Sequence, residues 1–96
     1  MKNDDELLTL VAIAIGLDRG DDNEDWNPLD DDGDALRVAV RLGIVPEFDH
    51  DQMHVSAFSV QTLNDNFDEP LGKDPYAATR RAIVRAAAAI GESVSA

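Results

Sequence analysis

The stretch Gly43-Ile44-Val45-Pro46-Glu47-Phe48-Asp49-His50-Asp51-Gln52-Met53-His54-Val55-Ser56-Ala57-Phe58-Ser59-Val60 decides the fold class, because the hydrophobic period changes within it. Met53, Val55 and Ala57 alternate with His54 and Ser56, which is the signature of a strand. The phase then slips, since Phe58 and Val60 continue on the other parity. A bulge near Ala57–Phe58 would return both sets to one face. Val45 to Phe48 predicts a partner strand, joined through Asp49-His50-Asp51-Gln52, and Pro46 places that strand at an edge. Leu63 to Lys73 reads as a loop, with Phe67 inserted into the core.

Helical signals flank this region. A first helix is expected over Asp4–Ile15. Asn3 caps it, Glu6 follows three residues later, Asp4, Asp5 and Glu6 suit its positive end, and Gly16 stops it. Its residues Leu7, Leu8, Leu10, Val11, Ile13 and Ile15 leave no polar stripe beyond Thr9, so it is buried on more than one side or meets a partner. A second helix is expected over Asp34–Leu42, capped by Asp32 or Asp34 and ended by Gly43. Leu36, Ala39 and Val40 form its apolar stripe, with Val38 and Leu42 beside it, and Arg37 and Arg41 share the wetter face. A third runs from Pro75 to about Ile90, with Asp74 as cap and Pro75 in the first helical position. Tyr76, Ile83, Ala87, Ile90 and Val94 follow helical spacing, Ala86-Ala87-Ala88-Ala89 invites close packing, and Gly91 reads as the terminator. The expectation is an α+β fold of order ααββα, with three helices packed on a small antiparallel hairpin or sheet.

A chain of 96 residues accommodates one such domain and no second core. Residues 92–96 are expected as a frayed tail. With no Cys, disulfides, iron–sulfur clusters, Cys-bound zinc and thiol catalysis are excluded. The apolar run Leu7–Leu17 is too short for a bilayer, and no secretion signal is evident, so a soluble intracellular protein is expected. The net charge is −12, and residues 1–34 alone hold twelve acids against Lys2 and Arg19. A general basic surface for nucleic acid or anionic membrane is therefore not expected. The acids concentrate in Asp18–Asp34, interrupted by Trp26-Asn27-Pro28-Leu29. That tetrapeptide reads as an anchor docking the acidic loop onto the body.

The individual candidate sites are weak. Placing Gly33 at position 6 of an EF-hand loop puts Asp30 and Asp32 at ligand positions, but Pro28 and Ala39 then fall where side-chain ligands are required. A capped helix start with solvated acids explains the run better. His50 and His54, near Asp49 and Asp51, lack a third fixed metal ligand. The nucleophile-elbow, zinc-protease, P-loop and dinucleotide motifs do not occur. Arg80, Arg81 and Arg85 would answer acids within the fold or face a partner, ahead of binding phosphate. No catalytic residue, metal site or cofactor is assigned.

Trp26-Asn27-Pro28-Leu29, then Asp31-Asp32-Gly33-Asp34-Ala35-Leu36-Arg37 with Ala39 and Leu42-Gly43, resembles a pattern of small phage and prophage proteins grouped as the phage ABA-sandwich domain. The run Ala77-Ala78-Thr79-Arg80-Arg81-Ala82-Ile83-Val84-Arg85-Ala86-Ala87 is similar to the C-terminal part of the same group. The resemblance spans most of residues 7–91. It implies a layered α+β fold and a phage or prophage origin, hence the cytoplasm of an infected or lysogenic bacterium, and it brings no catalytic residues. It suggests that Gly33-Asp34 set the start of the second helix, Trp26 fills a groove beside it, Leu36 points inward, and Arg80 and Arg81 hold the acidic loop in register.

The leading functional expectation is a non-enzymatic phage accessory protein that binds a basic surface of a host or phage protein. Its acids would stand in for nucleic-acid phosphates, as in anti-CRISPR or anti-restriction mimics. The expected contact residues are Asp18, Asp21, Asp22, Glu24, Asp25, Asp30 and Asp31. The alternative is a structural or assembly adaptor working as a homo-oligomer through the apolar first helix and the Ala-rich third. A small metal- or ligand-binding domain is the remaining class.

Overall fold

The computed structural model describes residues 2–16, 26–60 and 65–95. Its elements are α1 (Asp4–Ile15), α2 (Asp32–Leu42), β1 (Ile44–Asp49), β2 (His54–Ser59), β3 (Phe67–Pro70) and α3 (Pro75–Ser95). The expected three helices and small antiparallel sheet are present, and the sheet has one strand more than a hairpin, with order β1-β2-β3. Phe67–Pro70, read as loop, is that third strand. It pairs from Ala57↔Phe67 to His54↔Pro70. Two acids and a terminal proline hide its strand character, which an edge position tolerates.

The helix ends follow local chemistry. Asn3 caps α1 by accepting the Glu6 N–H at 2.8 Å, and Gly16 ends it at φ 73°. Asp74 caps α3 by accepting the Ala77 N–H at 3.0 Å. Gly43 ends α2 at φ 67°, but the cap of α2 is Asp31 rather than Asp32 or Asp34; its carboxylate accepts the Asp34 N–H at 2.8 Å.

α3 is the central element, packed against α1, α2 and all three strands. Its residues Ala82, Ile83, Val84, Ala86, Ala87 and Ala88 are buried. Small side chains there let neighbouring backbones come close on several sides. Gly91 does not terminate this helix, which continues to Ser95. A Cβ built on Gly91 would sit 1.9 Å from the Leu10 carbonyl oxygen, so the glycine is where α1 crosses α3. Tyr76 and Val94, expected in the apolar stripe of α3, are exposed.

α2 is rotated relative to the expectation. Ala35, Val38, Ala39 and Leu42 face the core, while Leu36 and Val40 are exposed. From Ala35 to Leu42 every position of this helix is apolar or Arg, so several stripes compete, and packing against α3 selects the one with the smaller residues. β2 has no bulge, because its pairing with β1 is unbroken from Ile44↔Ser59 to Asp49↔His54. Val55, Ala57 and Ser59 therefore point inward, and Phe58 points to the opposite face. Met53 is in the turn before β2, at φ 56° and exposed.

Candidate functional site

The segment Trp26–Asp34 folds as a compact turn that leads into α2. Pro28 is fully buried, and Trp26 and Leu29 pack against the core. Asn27 organises the turn. Its side-chain oxygen accepts the Leu29 N–H at 3.0 Å, and its carbonyl accepts the N–H groups of Asp30 and Asp31. Its own N–H donates to Asp34 Oδ2 at 2.9 Å. This is the local turn chemistry in which Asn replaces a backbone partner. Trp26, Pro28 and Leu29 are thus seated against the body, while residues 17–25, which precede them, lie outside the described residues.

Arg80 locks this turn to α3. Its Nε donates to the Leu29 carbonyl at 2.7 Å, and its Nη1 lies 2.6 Å from Asp32 Oδ1. The side chain is 15% exposed, against 70% for Asp32. Arg81, the next residue, turns to another element. It pairs with Asp4 at the start of α1, at 3.1 Å, and not with the acidic loop as expected. Two consecutive arginines thus tie the N-terminal ends of α1 and α2 to α3. Arg85 bonds Glu69 at 2.6 Å and the Asp68 carbonyl at 2.9 Å, and lies over the Phe67 ring. All three arginines answer acceptors inside the fold, as their number beside so many acids suggests.

Because α3 gathers these ends, carboxylates from separate segments meet on one side of the molecule. Asp4, Asp30, Glu69 and Asp74 border a single depression of about 540 Å³, together with Lys73, Arg80 and Arg81. Asp4, Asp30 and Asp74 are exposed. Sequence reasoning placed Asp30 in an acidic surface but did not connect it with Asp4 or Asp74, which lie far off along the chain. Their shared signal is that each belongs to the N-terminal region of a helix.

Of the expected contact residues, Asp30 is exposed and accepts only the Asn27 side-chain amide at 3.2 Å. Asp31 is exposed too, but its carboxylate is engaged as the α2 cap. Asp18, Asp21, Asp22, Glu24 and Asp25 lie outside the described residues.

His50 stacks on Phe48 with ring centroids 6.3 Å apart, and His54 is half-buried in β2. Among the described residues no group of three His, Cys, Asp or Glu is placed to hold a metal ion. No helix among them is long and apolar enough to cross a membrane. No family model matches the chain, and neither a curated protein nor a solved structure shows significant similarity to it.

Proposed function

We propose that the chain is a non-enzymatic phage accessory protein that binds a basic surface of a host or phage protein through its acidic side. The observation that carries this reading is the convergence of Asp4, Asp30 and Asp74, from three separate segments, around one open depression. The acid-rich run Asp18–Asp25 leads directly into the anchored turn that supplies Asp30. Clustered negative charge of this kind steers encounter with Lys- and Arg-rich surfaces. Of the three acids Asp30 is the least engaged, since it accepts only the Asn27 side-chain amide, whereas Asp4 pairs with Arg81 and Asp74 caps α3. The resemblance of Trp26–Gly43 and Ala77–Ala87 to small phage proteins supplies the phage context.

A basic surface in a bacterium most often serves nucleic acid, so the acids act as a phosphate mimic on a host defence or phage protein. The test is capture from bacterial lysate on immobilised chain, followed by competition. The captured protein binds DNA or RNA, and the free chain displaces that nucleic acid. A captured protein whose nucleic-acid binding is unaffected by saturating chain contradicts the mimic reading.

A further inference from the structure

The phase slip at Phe58 and Val60 leaves an apolar surface that the fold itself does not use. α3 covers the sheet face that carries Ile44, Val55, Ala57 and Ser59. The opposite face carries Val45 cross-strand from Phe58, with Val60 just beyond the end of β2. A solvated face of an antiparallel sheet ordinarily reads polar, and this end of it does not. The apolar strip continues onto α2. Val60 donates its N–H to the Gly43 carbonyl at 2.9 Å, and its side chain lies against Gly43. Gly43, Val40 and Leu36 follow one another at helical spacing. Leu36, Val40 and Val60 are 63%, 75% and 52% exposed.

Charge is distributed along this strip in a self-complementary way. Its α2 end carries Arg37 and Arg41, both exposed; Arg37 lies 3.4 Å from Asp34 one turn back on the same helix, and Arg41 has no ion pair among the described residues. Two and four residues beyond Val45, on the same strand face, stand Glu47 and Asp49. The order is basic, apolar, acidic. A two-fold axis through the apolar centre lays the basic end of one copy on the acidic end of the other, twice. In a chain of net charge −12, a second copy would otherwise be repelled, so this local pairing matters.

We infer that a second copy of this chain docks on the strip Leu36–Val40–Val60–Val45–Phe58, forming a two-fold homodimer registered by Arg37 and Arg41 against Glu47 and Asp49. The inference is independent of the acidic-side reading, since it uses other residues. It also moves any self-association away from the faces the sequence suggests, because the core sides of α1 and the Ala run of α3 are buried within the monomer. The patch is small, so the dimer belongs to the weak class.

Sedimentation equilibrium of the full chain over a concentration series tests it. Wild type reaches a dimer that weakens with salt. Val40→Asp, at an exposed site that leaves the fold intact, raises the dissociation constant by about tenfold or more. Arg37→Glu/Arg41→Glu and Glu47→Lys/Asp49→Lys each give monomers, and mixing these two double variants restores a dimer, since both contacts are then between opposite charges. Circular dichroism and melting confirm that each variant is folded. A wild type that stays monomeric throughout overturns the inference and leaves the strip to a different protein. A dimer indifferent to Val40→Asp, or a mixture that fails to associate, overturns it as well.

Discussion

Gly91 of α3 and Leu10 of α1 approach so closely that a Cβ on Gly91 would lie 1.9 Å from the Leu10 carbonyl oxygen. The two longest helices among the described residues cross at this point, and α3 continues past it by a full turn. In isolation, Gly91→Ala would favour the helix by about 1 kcal/mol. In the folded chain the added methyl has to push apart two backbones that have no flexible side chain between them. We expect Gly91→Ala to lower stability by about 1–3 kcal/mol, measured by urea or thermal unfolding. A more stable Gly91→Ala variant would show that the helices do not cross at this distance.

Arg80 separates a structural contact from a decorative one. Its hydrogen bond to the Leu29 carbonyl is part-buried, whereas its carboxylate partner Asp32 is largely exposed. Exposed ion pairs contribute little, and a carbonyl deprived of its donor in a part-buried place costs more. Arg80→Ala is therefore expected to cost about 1–3 kcal/mol, and Asp32→Asn less than about 0.5 kcal/mol. Equal losses for the two variants would contradict this division.

Asp30 and Asp31 are neighbours with different duties. Asp31 is the cap of α2, so Asp31→Ala is expected to cost about 1 kcal/mol. Asp30→Ala should leave stability within about 0.5 kcal/mol, since its carboxylate holds only an exposed side-chain contact. Binding assays should therefore use Asp30 and avoid Asp31. Chemical denaturation of the two single variants checks the ordering.

Ala87 is fully buried in the middle of α3. Ala87→Leu has to displace its neighbours and is expected to cost about 1–3 kcal/mol in the same assay. An unchanged melting temperature would mean that α3 is not the packed centre of the fold.

The ends of elements were the most legible part of the chain. Asn3, Gly16, Gly43 and Asp74 act through local backbone chemistry, which depends on near neighbours in sequence, and each sits where that chemistry places it. Gly91 shows the limit of such reasoning. A glycine ends helices and also allows close crossings, and only the position of Leu10 decides between them. The same holds for α2, where Leu36 and Val38 are both apolar and the packing partner selects Val38. At Phe58 and Val60, a bulge and a two-faced strand fit the pattern equally well, and the unbroken pairing with β1 decides for the strand. In the acidic region, the apolar insert Trp-Asn-Pro-Leu could be read from residue types, and the part of Arg80 came only from the resemblance to small phage proteins. The meeting of Asp4, Asp30 and Asp74 could not, because it depends on how α3 gathers three distant helix ends.

The most direct measurement is the rate at which the chain associates with the protein it captures, at low and at high salt. Wild type is compared with a variant carrying Asp21→Lys, Asp22→Lys, Glu24→Lys and Asp25→Lys, all in the acid-rich run before Trp26. Charges that steer encounter are screened beyond about 8–10 Å at physiological salt, so their removal acts on the association rate. Binding through the acidic side predicts association at least about tenfold slower for the variant at low salt, with most of the salt dependence gone. Equal rates and equal salt slopes for the two proteins would contradict it, and would leave the acids as a coat that keeps the chain in solution.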